Sequence, residues 1–371
     1  MTQDALHDPI GRDKFGRDPG GEFPREPREG RPVSFYLAIF FGFLLVVSVG
    51  LNLLMLVVSA FGSATASLTT TSWDDGAWEL VGIGGDEAAA SRLLRIPLEG
   101  AIAESAAPVI GGAGGSVSSV LGSLALAERD DRIVGVLLEI DSPGGGVTDS
   151  DLIWQAVRDF RLRTKKPVVA LFGDIAASGG YYVAAACDHI VARPTTITGS
   201  IGVIVSNLQF GEAAKKLGVA QEVSVSARTP HKDMMSSFRP MSEDERGILR
   251  GIVDELYDRF VDIVAQGRTG LSRERVVELA DGRIYSAKQA LESGLVDSIG
   301  TEDDAWSELG KRAGVSAAQH VERRRRPSLS EILLGASAGE AAPRASLESA
   351  VAGVLGGSTG PRLLYWWPGA R

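Results

Sequence analysis

The chain reads as an α/β layer protein, with parallel strands flanked by helices, and three observations predict it. Two short apolar runs rich in β-branched residues, Ile133 to Ile140 and Pro167 to Phe172, suit strands buried on both faces of a parallel sheet. Between them, Asp149 to Arg163 sets Ile153, Val157 and Phe160 on one face of a helix. Strand and helix then alternate, the order that right-handed crossovers produce.

The 371 residues divide into five stretches. Residues 1–32 are rich in Pro, Gly and charge and are expected to form a disordered tail, having too little apolar surface to bury. Residues 33–61 contain an uncharged run, Phe35 to Val58, whose only amide side chain is Asn52. About 20 apolar residues cross a bilayer core, so one transmembrane helix is expected here. A soluble helix rarely stays apolar on every face over such a length. Ala64-Thr65-Ala66 offers the small-residue pattern of a signal-peptide cleavage site, but the apolar run is longer and starts later than in such peptides. Arg25, Arg28 and Arg31 precede the run, and the next basic residue after it is Arg92. The positive-inside rule therefore puts the N-terminus in the cytoplasm and the bulk of the chain outside the cell membrane.

Residues 62–90 are rich in Ser, Thr, Gly and Ala and read as a linker. Residues 91–315 carry the regular pattern. A strand is expected over Leu93 to Ile102 and a helix over Ser116 to Arg129. Ser242 with Glu245 three residues later forms a capping box that opens a long helix. Its Leu249, Ile252, Leu256, Phe260 and Ile263 are spaced to pack into a core. Shorter helices follow near Arg273 to Leu279 and Ala287 to Leu291, with Gly294 placed to end the second. Residues 316–371 form a tail that the pattern leaves unassigned. Within it, Arg323 to Arg326 reads as solvated charge, and the aromatic end Leu363 to Trp367 is expected to dock on the domain, with a membrane interface or the substrate groove as the other places open to it.

A net charge of −9 opposes general nucleic-acid binding, which relies on clustered Lys and Arg. The one cysteine, Cys187, lies in an apolar stretch and is expected to pack as a small hydrophobe. No CxxC, HExxH or P-loop pattern occurs, so no metal or cofactor is expected.

Three segments carry chemistry. Asp141-Ser142-Pro143-Gly144-Gly145-Gly146 follows a strand; Pro-Gly makes a tight turn, and successive glycines let backbone N–H groups approach a ligand. Ala176-Ala177-Ser178-Gly179-Gly180-Tyr181-Tyr182 puts a serine among small residues at a strand-to-helix junction. Such a serine serves either as a helix N-cap or as an exposed nucleophile. His231-Lys232-Asp233-Met234-Met235 lies in a polar loop, where a lone lysine is ordinarily a solvated charge.

Together these segments resemble the signal peptide peptidase A family of serine peptidases, through IDSPGGGV, AASGGYYVA, TITGSIGV, HKDMMS and DGRIYSAKQALESGLVDSIG in that order. The resemblance covers roughly Leu93 to Gly300. It implies a Clp protease/crotonase-like fold and a Ser–Lys endopeptidase acting on peptides, such as signal-peptide remnants left in the membrane. It also implies Ser178 as nucleophile, Lys232 as general base, Ser200 as the serine that assists the lysine, and Gly145 with Gly179 as the oxyanion hole. Finally, it implies a homo-oligomer in which the serine of one subunit faces the lysine of the next.

A lysine is a base only when neutral, so its ordinary value of about 10.4 must fall toward about 7 to 8, roughly 4 kcal/mol against the charged form. Burial supplies such a shift, and Asp233 would oppose it, so its carboxylate is expected to turn away. His231 is the fallback base. Two other readings remain open: an α/β-hydrolase esterase, given the near match to G-x-S-x-G and the need for an Asp and then His189, His231 or His320 downstream, and an inactive membrane scaffold that kept the fold.

Overall fold

The computed structural model describes residues 35, 37, 40–50, 53, 78–104, 115–326 and 363–366. The chain divides into two compact units, Met1–Ser72 and Trp73–Arg371. In the first, residues 40–50 belong to a helix, α1, with exposed side chains. The expected N-terminal tail, most of the expected membrane segment and the first part of the linker lie outside the described residues. Among the described residues no helix is long and apolar enough to cross a membrane.

The second unit is built on a nine-stranded sheet. Its central path runs β1 (Trp78–Gly85), β11 (Gln319–Arg325), β2 (Arg92–Glu99), β3 (Ile133–Ser142), β5 (Val168–Ala177), β6 (His189–Ala192) and β10 (Ser298–Ile299). From β11 to β10 every pairing is parallel, while β1 joins β11 antiparallel. Beyond the path, β7 (Ile197–Gly199) continues alongside β5, with β9 (Ile284–Ser286) antiparallel to it. A parallel-dominated sheet with helices on both faces is what the sequence predicts, and it fits a Clp/crotonase-like arrangement.

Period-two alternation sorts the core. Val136, Leu138 and Ile140 of β3 join α2 (Ser116–Arg129), α3 (Val147–Thr164) and α4 (Gly179–Ala184) in one cluster. Leu137, Val169, Leu171 and Val191 point to the other face, against Ala305, Trp306 and Leu309 of α9 (Glu302–Ala313). Cys187 is buried, and desolvation pushes its thiol up to about 12, so it packs as a hydrophobe. The remaining helices are α5 (Gly211–Lys216), α6 (Glu243–Gly267), α7 (Arg273–Leu279) and α8 (Ala287–Glu292).

Three expectations need correction. Strand β1 lies within the stretch read as linker; it pairs along β11, which supplies the hydrogen bonds that no local pattern reveals. The basic run Arg323 to Arg326 is not a solvated tail: its first three residues are in β11, Arg323 stacks 3.9 Å over the Trp78 ring, and Arg326 reaches Glu79. Helix α6 packs into the core only through its C-terminal half, where Phe260, Val261, Ile263 and Val264 are buried. Ile248 and Ile252 stay exposed because no other part of the described chain covers that end.

A second, three-stranded sheet has β12 (Leu363–Trp366) at its centre, antiparallel to both β4 (Gly144–Gly146) and β8 (Ile204–Val205). The aromatic C-terminal end thus adds to the domain as a strand.

Candidate active site

The site assembles where parallel strands end. After β3, the hydroxyl of Ser142 donates to the Gly100 carbonyl (2.6 Å) and accepts from the Gly144 N–H (3.1 Å), which sets the glycine turn. Gly144 has φ 105, a conformation that favours glycine. At Gly145 a Cβ would lie 2.0 Å from the Ile102 carbonyl oxygen, so a side chain is excluded there.

Strand β5 ends at Ala177, and Ser178 stands at the N-cap position of α4 with φ 52 and ψ −115. It is 1% exposed, and its side chain makes no capping hydrogen bond. A cap serine sits in extended backbone and binds the helix N–H groups; Ser178 does neither. The turn is held by the Ser178 N–H donating to Gly199 (2.8 Å) and by Tyr182 N–H donating to the Ser178 carbonyl (2.9 Å). A Cβ on Gly179 would meet Ser150 Oγ at 2.5 Å and Gly145 N at 3.2 Å, so the two proposed oxyanion glycines are neighbours.

The register of β7 on β5, Ala176 with Thr198 and Ala177 with Gly199, brings Ser200 alongside Ser178. Ser200 also has positive φ, 49, and its N–H donates to Arg283 (2.8 Å). A groove of about 670 Å³ opens beside it, lined by Ile201, Val203, Ile204, Asp254 and Tyr257.

Lys232 sits in a turn before α6. It is exposed, and among the described residues its amine has no hydrogen-bond or ion-pair partner. Among the described residues nothing supplies the dry environment expected for a basic lysine. Asp233 does turn away: its carboxylate is gripped by Arg239 at 2.8 and 3.0 Å. That hydrogen-bonded pairing holds the Asp233 carboxyl below the usual carboxylate range.

His189 and His320 are remote from Ser178. His189 pairs with Val169 at the start of β5, nine residues before Ser178 and roughly 30 Å along the strand. His320 is level with Leu93 at the start of β2, its ring stacked on Trp306. An esterase triad built on either histidine is thereby excluded. His231 is exposed, with Nδ1 4.0 Å from the Glu245 carboxylate.

The chain also shares sequence with known proteins. The profile of peptidase family S49 matches residues 161–316. The Synechocystis candidate protease slr0021 is 42% identical over 224 residues, 60% of this chain and 75% of that protein. This chain belongs to peptidase family S49. It is a serine peptidase of the signal peptide peptidase A type. A candidate signal peptide peptidase SppA of Enterococcus faecium is 43% identical over 195 residues, covering 53% of this chain and 56% of that protein. Protease 4 of Haemophilus influenzae is 33% identical over 58% of this chain, which spans only 34% of that larger protein.

Sequence reasoning missed the supports of this S49 site. Tyr181 donates to the Leu295 carbonyl (2.7 Å), and Tyr182 donates to Asp151 (2.6 Å) on α3. Arg259 on α6 bonds the same Asp151 oxygen (2.6 Å), and the Tyr182 ring meets Phe260 edge-on at 4.9 Å. These contacts tie α4, which Ser178 precedes, to α3 and α6. Ser150 Oγ is buried without a hydrogen-bond partner beside Gly179, and nothing local marks it in the sequence.

Proposed function

We propose that this peptidase is a membrane-anchored endopeptidase using Ser178 and Lys232 as a dyad, with its N-terminus cytoplasmic and its catalytic domain outside. Its substrates are membrane-derived peptides such as cleaved signal sequences. The observation that carries the reading is Ser178: buried, strained, uncapped, and set beside Ser200 and the Gly144–Gly145 turn.

In this mechanism the neutral Lys232 amine accepts the Ser178 proton as Oγ attacks the peptide carbonyl. The N–H groups of Gly145 and Gly179 receive the developing oxyanion. The ammonium then gives its proton to the leaving amine, and water repeats the cycle to release the acyl group. Ser200 orients the amine by a hydrogen bond. The peptide enters as an extended strand between β4 and β8, where β12 runs.

The exposure of Lys232 favours a homo-oligomer in which the amine serves a neighbouring copy. Exposed apolar residues on the segments either side of its turn, Leu208, Phe210 and Phe238, and in the N-terminal half of α6, Ile248 and Ile252, suit a surface covered by such a copy. Ser178→Ala and Lys232→Ala should each abolish cleavage of a peptide substrate while leaving the melting temperature within a few degrees. Substantial cleavage by either purified variant would remove that residue from the mechanism.

A further inference from the structure

The loop that bears Lys232 carries its own acid. Asp233 is the next residue, with Cα atoms only about 3.8 Å apart. A carboxylate within about 4 to 6 Å of an amine favours the ammonium form and so disables a base. In the structure one side chain holds that carboxylate. Arg239 presents Nε and Nη2 to Asp233 (3.0 and 2.8 Å), and Nη1 and Nη2 to Glu245 (2.9 and 2.6 Å). Its fifth N–H donates from Nη1 to the Pro240 carbonyl at 3.2 Å. Every donor of the guanidinium is used, and no lysine could match a fork that grips two carboxylates at once.

Glu245 is the buried N3 residue of α6, and its other bond is the capping box: Ser242 N–H donates to its carboxylate at 2.8 Å. Arg239 therefore ties Asp233 to a fixed helix start. The hydrogen bonds from Arg239 keep both carboxyls ionised, with Glu245 down at about 2, so a released carboxylate would be a full charge at working pH. The other titratable groups here are His231, Arg228, and Glu243 and Asp244 in the first turn of α6. The segment packed across the loop contributes the neutral amides of Asn207, Gln209 and Gln221.

We propose that Arg239 is a positioning residue for catalysis, holding the loop's carboxylates off the Lys232 amine so that the amine can act as a base. The inference rests on the reading of Lys232 given above.

The test is kcat/KM against pH for the full-length chain on a fluorogenic peptide, since the acid limb reports the free enzyme's base. Arg239→Gln alone would strand a buried charge at Glu245. The working variant is therefore Arg239→Gln with Glu245→Gln, since glutamine at N3 still completes a capping box. With Asp233 released, the acid limb should move up by about one pH unit, which is on the order of a tenfold loss at a fixed pH on that limb. Adding Asp233→Asn should return the limb to its wild-type position. A limb that stays in place, or one that Asp233→Asn does not restore, overturns the inference even if kcat falls, because a merely structural arginine would lower activity without moving the profile. Lys232→Ala in the same assay separates the two claims. If that variant cleaves, the base is elsewhere and the dyad reading fails; if it is dead and the limb has not moved, only the role of Arg239 fails.

Discussion

Ser178 holds a backbone conformation that serine adopts only when its surroundings impose it. Sparsely populated φ/ψ states cost of order 1–3 kcal/mol and persist where neighbours over-determine them. Here the neighbours are the Gly199 carbonyl, the α4 backbone and the two tyrosine anchors. Gly145 is as tightly placed from the other side. Gly145→Ala would put a methyl 2.0 Å from backbone oxygen of Ile102, so the turn must shift and its N–H with it. Loss of one oxyanion donor typically costs 10²–10³ in kcat, about 3–4 kcal/mol, and Gly145→Ala is expected to fall in that range. Wild-type kcat in a folded Gly145→Ala protein, checked by thermal melting, would release Gly145 from the site. The glycine turn and the serine at the strand-to-helix junction were legible because their patterns are local, whereas Ser200 entered only through the family resemblance. Asp151, Arg259, Ser150 and Arg239 were not, because each acts on a partner from another element or turn and carries no local signature.

At the scale of elements, the start of α6 has a definite acid response. Hydrogen bonds from Arg239, and then from the Ser242 backbone, hold Glu245 down at about 2, well below an ordinary glutamate. A carboxyl depressed in the folded state contributes its stability above its ordinary value and loses it as pH falls through the folded one. Wild-type protein should therefore melt higher than Glu245→Gln at neutral pH, and the gap should close between about pH 4.5 and 2. A gap independent of pH would mean that the ion pair contributes nothing. Strand β12 has a different consequence. It pairs with both β4 and β8, the edges that an extended peptide would use. A chain ending at Gly360 should show a lower KM for peptides at unchanged kcat. An unaltered KM would place substrate elsewhere. The helices Ser116–Arg129 and Arg273–Leu279 were readable, since helical periodicity is a short-range signal. Strands β1, β4, β8 and β12 were not, because a strand's hydrogen bonds come from distant segments.

At the scale of the whole molecule, the described residues bury Ser178 and leave Lys232 exposed. If Lys232 is the base we propose, it gains nothing from water, and substrate or another copy is a source of its desolvation. Mixing Ser178→Ala with Lys232→Ala protein tests the second source. In a ring of head-to-tail contacts, an equal random mixture pairs an intact serine with an intact lysine at about one site in four. Activity near a quarter of wild type is expected, and no recovery despite mixed assembly would favour a dyad completed within one chain.

The amino-acid sequence by itself determined the α/β alternation, the extents of α2 and α7, the glycine turn and the serine at a strand-to-helix junction. All of these depend on neighbours a few residues apart. Only the tertiary structure decided that Ser178 is no helix cap, that β7 sets Ser200 beside it, and that Arg239 gathers Asp233 onto α6. Those outcomes depend on strand register and on side chains converging from separate elements. Such convergence is a property of packing, which no local pattern encodes.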